Sequence, residues 1–281
     1  RLIVVNDCSP DPEISTWLRE LVLREPRVTL LENQQNQGFV ASVNKGMTFS
    51  NDNDVLLLNS DTEVANDWLD RLQRAAYSEP HIGSVTPFSN NATICSYPRF
   101  CRSNDLPDSY DTPKLDALFA RLLTGQTVSI PSAVGFCMYI RRNCINEVGL
   151  FDEANFGKGY GEENDFCMRS RSAGWKHLHA LDTFVRHAGG VSFGESAQLR
   201  QEAALKVLLG LHPDYEKAVQ AYLALDPARS ARLCIDMARY AAERISPWLA
   251  NPDLVVSSTS REHILPEASK YVLHVVPANG G

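Results

Sequence analysis

Val55-Leu56-Leu57-Leu58-Asn59-Ser60-Asp61-Thr62-Glu63-Val64 is the stretch that decides the fold. Four apolar residues, three of them leucine, read as a strand buried on both faces, as in a parallel sheet covered by helices. Asn59, Ser60 and Asp61 follow at its carboxyl end, where open α/β sheets bind their ligands. A carboxylate there can hold a divalent cation, and the cation can hold a diphosphate. The same residues also suit a polar turn that simply ends a strand, so the surrounding sequence has to decide.

On both sides, strand and helix patterns alternate. Residues 2–5 and 28–31 are short apolar runs, and 14–24 place Ile14, Trp17, Leu18, Leu21 and Val22 at helical spacing. Residues 39–49 and 67–77 read as helices, so the order is βαβαβ and the expected fold is α/β, a doubly wound, mostly parallel sheet. Residues 87–113 carry four prolines among many Asn and Ser and read as a long loop, a kind that is usually functional. Residues 133–140 read as a further strand and 162–172 as a helix with acidic residues at its favourable amino end. Beyond Ser196 come Ala/Leu-rich helices at 199–211 and 215–225, and a third at 227–245 opened by proline. A Pro-, Ser- and Asn-rich linker over 246–266 precedes a strand-like run, 270–281, that ends in a glycine turn.

The 281 residues suffice for one large domain or a domain and a half. A net charge of −7 argues against a nucleic-acid surface, which needs basic excess. No apolar run has the length of a membrane span and no signal peptide opens the sequence. The seven cysteines are irregularly spaced without a CxxC pair, so neither a zinc site nor a disulfide framework is indicated. Cys95 and Cys101 flank a loop, but reduced, mostly buried thiols and a cytoplasmic location are the expectation.

Five further motifs keep company with the strand end: Leu2-Ile3-Val4-Val5-Asn6-Asp7-Cys8-Ser9, Asn36-Gln37-Gly38 through Asn44-Lys45-Gly46, Gly149-Leu150-Phe151-Asp152-Glu153, Gly161-Glu162-Glu163-Asn164-Asp165-Phe166-Cys167-Met168-Arg169, and His187-Ala188-Gly189-Gly190-Val191-Ser192. In this order and spacing the set resembles the inverting family-2 glycosyltransferases of the GT-A fold, over residues 1–195. The resemblance implies transfer of a sugar from a nucleotide-diphosphate sugar to a hydroxyl of a glycan or lipid-linked acceptor, as in polysaccharide biosynthesis. It also implies a Mg²⁺ or Mn²⁺ cofactor and peripheral association with the inner face of a membrane.

Carried over residue by residue, Asn6 and Asp7 take the place of the acidic motif at the nucleotide, with Asn6 where the family often has aspartate. Gly38 would permit close backbone approach, and Asn44 would line the inner helix face on the nucleotide side. Asn59-Ser60-Asp61 stands for the family's Asp-x-Asp, with asparagine first, which leaves Asp61 as the direct metal ligand. His187 matches the histidine that reaches the metal or diphosphate from the other side. Glu163 occupies the base position, and Glu162 is its rival. Asp165 and Arg169 read as an ordinary i,i+4 ion pair. Trp68, Phe136 and Trp175 lie near these motifs, and core packing is the commoner role for such aromatics.

By the same resemblance, residues 2–5 would be the second strand of the sheet, and the central first strand would be missing. The expected organisation is residues 1–195 as an incomplete GT-A-like domain, 196–250 as a helical extension, and 251–281 as a linker and the start of a second domain. Residues 271–281 resemble the opening of a GT-B-type domain, which implies further domains of the same polypeptide. The physical alternative is that the β-branched run 272–276 fills the gap beside residues 2–5. Two other functions remain open from sequence: a nucleotidyltransferase, for which the Glu162–Asp165 helix start has no use, and a degenerate, non-catalytic glycan-binding or scaffold domain, which the Asn59 substitution favours.

Overall fold

A computed structural model describes residues 1–50, 52–157, 159–189, 195–245 and 271–276. In chain order the elements are β1 (Leu2–Asn6), α1 (Pro12–Arg24), β2 (Val28–Glu32), α2 (Phe39–Phe49), β3 (Val55–Asn59), β4 (Thr62–Glu63), α3 (Trp68–Ala76) and β5 (Ile82–Phe88). A short 3₁₀ turn (Thr93–Cys95) precedes α4 (Thr112–Leu122), β6 (Thr127–Ile130), β7 (Cys137–Ile140), α5 (Arg142–Val148) and α6 (Glu153–Phe156). Then come α7 (Glu162–Ser172), β8 (Lys176–Phe184), β9 (Arg186–His187), α8 (Glu195–Leu211), α9 (Tyr215–Leu225), α10 (Arg229–Ile245) and β10 (Tyr271–Val276).

The main sheet has eight strands in the order β2-β1-β10-β3-β7-β5-β8-β6. β2, β1, β10 and β3 run parallel, β7 is antiparallel to both its neighbours, β5 and β8 are parallel, and β6 is antiparallel at the edge. Val55, Leu56 and Leu57 are buried, as an apolar run in the middle of a helix-covered sheet should be. Helix starts follow local rules. Asp11 caps α1 with a hydrogen bond from the Glu13 N–H and proline in the first turn, and Asp111 caps α4 in the same way.

β10 corrects two expectations. It pairs with β1 through Leu273↔Ile3 and with β3 through Leu273↔Leu57, in parallel with both. The central position is therefore filled, and the run is a strand of the main sheet instead of the start of a second domain. The reason is that β1 and β3 each present a row of backbone N–H and C=O groups that an inserted strand satisfies on both sides. Nor is the helical stretch a separate body. Leu208 of α8 and Tyr222 of α9 are buried in the main core, while Ala228, Ala231 and Ile235 join Phe88, Phe119 and Phe184 in a second cluster.

Residues 133–140 do not form one strand. Only Cys137–Ile140 is extended, because the Ala133 N–H is drawn to Cys167 Sγ (3.3 Å) and the Val134 N–H to Thr86 Oγ1 (3.2 Å). All seven cysteines are free thiols; Cys95, Cys137, Cys144 and Cys167 are buried. No helix among the described residues is long and apolar enough to cross a membrane.

Candidate functional site

The chain turns sharply after β3. Asn59 donates its N–H to Phe136 O (2.9 Å), and Thr62 Oγ1 donates back to Asn59 O (2.7 Å). The two-residue β4 then pairs antiparallel with β9, setting Thr62 opposite His187. Ala188 donates to Asp61 O, and Gly189 N–H to Asp61 Oδ2 at 2.9 Å. This short ladder brings residues 126 positions apart in sequence into contact: His187 Nε2 lies 3.3 Å from Asp61 Oδ1.

The His187 ring is held from three sides. Its Nδ1 meets the Asn91 carbonyl at 2.7 Å, and a carbonyl only accepts, so Nδ1 carries the hydrogen. Its backbone N–H and C=O form a closed pair with the Asn90 side-chain amide (2.8 and 2.9 Å). Phe136 stacks on its face, with centroids 5.1 Å apart and planes at 22°. Nε2 is left pointing at the Asp61 carboxylate, with the Asn59 amide nitrogen 3.4 Å away. The hydrogen bond to His187 holds the Asp61 carboxyl below its ordinary range, with partial burial opposing. Burial alone would lower the His187 pKa, but Asp61 and the Asn91 carbonyl outweigh it and raise it.

A carboxylate oxygen and an imidazole nitrogen facing each other this way call for a positive charge between them, supplied by a proton or a cation. The residues fit a hard divalent ion that tolerates one imidazole, with Asp61 and His187 as protein ligands and Asn59 beside them. Among the described residues no group of three or more His, Cys, Asp or Glu side chains gathers, so further ligands would have to come from a bound ligand or water.

Glu162 and Glu163 open α7 behind Gly161, whose φ of +95° turns the chain into the helix. Glu162 is 6 % exposed, and the Oε2 atoms of both glutamates are buried without a hydrogen-bond partner among the described residues. Burial raises both carboxyl pKa values, and for Glu162 the neighbouring Glu163 charge adds to it. A Cβ built on Gly135 would lie 4.0 Å from the Glu163 carboxyl carbon. The next residue, Phe136, is the one stacked on His187. The β6–β7 loop thus lies beside Glu163 at Gly135 and against His187 at Phe136.

At the carboxyl ends of β1 and β2, Asp7 is 3 % exposed and accepts from Asn33 Nδ2 (2.7 Å), Gln37 N (2.8 Å) and Gly38 N (2.8 Å). Asn6 accepts from Ser9 N (3.0 Å) and donates to Ser15 Oγ (2.9 Å). Both residues shape the loops at the ends of β1 and β2. Gly38 has φ +91°, and a Cβ there would meet the Gly157 carbonyl at 2.6 Å, so its freedom serves a backbone contact within the protein. Asn44 donates its side-chain N–H to Phe151 O (2.9 Å) and accepts from Phe151 N (3.1 Å), which ties α2 to the loop before α6. Asp165 pairs with Arg169 at 2.7 Å as the i,i+4 spacing implies, and also with His212, in the turn after α8, at 2.8 Å.

Sequence reasoning missed Asn90, Asn91, His212 and Tyr215. Only the Asn-Asn pair left a signal, at the end of a strand in a loop already marked as unusual. Trp175 is buried and donates to Glu147, so it packs as expected, whereas Phe136 belongs to the site.

Known proteins resemble this chain in sequence and in fold. Over 160 residues the chain is 26 % identical to polypeptide N-acetylgalactosaminyltransferase 16 of Homo sapiens and of Mus musculus, covering 54 % of this chain and 28 % of the relative. The chain thus spans under a third of the length of these curated relatives. Its fold is similar to that of GalNAc-T7 crystallised with UDP, GalNAc and Mn²⁺, with TM-score 0.56, 17 % identity, and coverage of 89 % of this chain and 52 % of the other. It is also similar to the mannosyltransferase PcManGT of Pyrobaculum calidifontis in complex with GDP-Man and Mn²⁺, with TM-score 0.52, 17 % identity, and coverage of 86 % and 65 %. The family model described as "Glycosyl transferase family 2" matches residues 1–149, more than half of the chain, and the chain belongs to that family.

Proposed function

We propose that this protein is an inverting glycosyltransferase that moves a sugar from a nucleoside-diphosphate donor to a hydroxyl of a glycan or lipid-linked acceptor. The observation that carries the reading is the β6–β7 loop, with Gly135 facing Glu163 and the adjoining Phe136 stacked on His187. A base and a diphosphate grip on opposite sides of one reacting carbon is the layout that back-side displacement requires.

Glu163 takes the proton of the acceptor hydroxyl as its oxygen bonds to the anomeric carbon, and the bond from that carbon to the diphosphate breaks with its electron pair leaving on the phosphate oxygen. Burial brings the Glu163 carboxyl pKa upward, toward the pH at which a general base is best matched. Asp61 and His187 would hold a Mg²⁺ or Mn²⁺ ion, which would neutralise the charge on the leaving diphosphate. Asn90 and Asn91 fix the His187 ring and its hydrogen on Nδ1, leaving Nε2 to the site. Asp7 organises the Gln37–Gly38 turn that borders the nucleotide.

The test is turnover of UDP- and GDP-sugars with Mn²⁺, Mg²⁺ or chelator, with the anomeric configuration of the product read by NMR. Inverted product from wild type and none from Glu163→Gln supports the reading. Retained configuration overturns inversion. Donor binding without turnover under every condition supports a non-catalytic module.

A further inference from the structure

The α8–α9 corner reaches the glutamate-bearing start of α7 at two adjacent residues. His212 Nε2 lies 2.8 Å from Asp165 Oδ1, on the carboxylate that Arg169 holds through Oδ2 at 2.7 Å. Tyr215, three residues on, donates its hydroxyl to Asn164 Oδ1 at 3.0 Å. The same Asn164 oxygen accepts from Ser132 Oγ at 2.6 Å, at the head of the loop that carries Gly135 and Phe136. His212 N–H closes onto Leu208 O and Tyr215 N–H onto His212 O, so both side chains leave one tight turn.

Asn164 and Asp165 directly follow Glu163 on the helix. Pinning them fixes the rotation and axial position of the first turn of α7, the part of a helix that frays when nothing holds it. Tyr215 is close enough that burial and the Glu163 charge together raise its pKa. Asp165 meets solvent little: it is 2 % exposed, and the His212 side chain against it is itself 14 % exposed.

We infer that His212 and Tyr215 are positioning residues for the catalytic glutamate, acting through Asp165 and Asn164. On this inference the helices after residue 195 belong to the working site, and Asn164 couples them to the loop beside His187. The inference rests on the proposed role of Glu163.

The experiment compares full-chain wild type with Tyr215→Phe, His212→Ala, His212→Gln and Glu163→Gln in donor turnover, donor affinity and thermal unfolding. Tyr215→Phe keeps the ring and loses one hydrogen bond. It should lower kcat roughly tenfold, the scale expected when a reacting group drifts by a fraction of an ångström, with donor KM and Tm little changed. His212→Ala should do the same, and His212→Gln, whose amide can still donate to Asp165, should recover most of the loss. Wild-type kcat in both Tyr215→Phe and His212→Ala overturns the inference, as does a loss that follows Tm and is not rescued by glutamine. Full activity in Glu163→Gln overturns the underlying role of Glu163 and is distinguishable from either result.

Discussion

At the scale of single residues, the two buried glutamates set function against stability. A carboxyl withdrawn from water, with one oxygen lacking a partner among the described residues, resists ionisation, and its pKa is raised in the fold relative to the unfolded chain. The folded state therefore binds more protons than the unfolded state above the ordinary glutamate pKa, and stability falls as pH rises through the raised values. Glu162→Gln, a neutral near-isostere, should accordingly raise Tm at pH 8 more than at pH 4.5, as measured by thermal unfolding across pH. A Tm gain equal at both pH values would refute buried ionisation as the cause. Catalysis needs the opposite charge state, so wild-type turnover should climb over the same pH interval. Glu163→Gln should cost on the order of 10²–10⁴ in rate while donor binding persists, checked by turnover beside donor titration. If Glu162→Gln is the dead variant and Glu163→Gln is active, the base is Glu162. For the cation, Asp61→Asn and His187→Ala should each weaken Mn²⁺ binding in the presence of nucleoside diphosphate, read by electron paramagnetic resonance; unchanged affinity in both would remove the pair from the metal.

Elements are held in place by polar anchors that the apolar pattern does not show. Arg71 of α3 and Asp116 of α4 form a buried ion pair at 2.6 Å, with side chains 2 % and 0 % exposed. Asp116 also accepts from Phe184 N at 2.9 Å at the end of β8, and Arg71 donates to Asp182 O. This knot fixes the strand end that leads into β9 and His187. Asp116→Ala would leave the buried guanidinium with only the half-exposed Asp67 carboxylate, 3.1 Å from Arg71 Nε, and the expected cost is about 3 kcal/mol, the low end for breaking a buried pair. Urea unfolding measures it; a loss below about 1 kcal/mol would show that the anchor contributes little. His177 plays a quieter part, bridging Ser84 and Ser170 through its two ring nitrogens at 2.7 and 2.9 Å, with burial pushing its pKa down to about 4.

For the whole molecule, β10 is the decisive piece. It is hydrogen-bonded on both sides in the parallel half of the sheet, next to the strand end that carries Asn59 and Asp61. Leu273→Pro removes a ladder N–H and forbids the paired geometry, so it should cost stability on the order of 3 kcal/mol and weaken nucleoside-diphosphate binding, both read by thermal unfolding with and without UDP or GDP. An unaltered Tm would mean that the strand adds nothing to the sheet. The sequence-based account reached much of this architecture. Residue type placed α2, α7 and α9 at their observed bounds, α7 through the acidic residues at its amino end. It passed over β5 and α4, whose apolar residues sit within or beside Pro-rich stretches.

What the sequence determined by itself was local or motif-borne: the buried run of β3, the polar residues at its end, the acidic start of α7, and membership of a glycosyltransferase family through their order and spacing. Residue type and neighbour spacing are enough for these, since helix periodicity and strand burial repeat within a few residues. Only the tertiary structure decided which polar groups meet. It brought His187 to Asp61 through a two-residue ladder, tied Asn44 to Phe151, set Gly135 beside Glu163 and Phe136 on His187, and placed β10 between β1 and β3. The physical reason is that backbone hydrogen-bond rows and buried polar atoms must each find a partner, and which partner is available depends on chain segments far away in sequence.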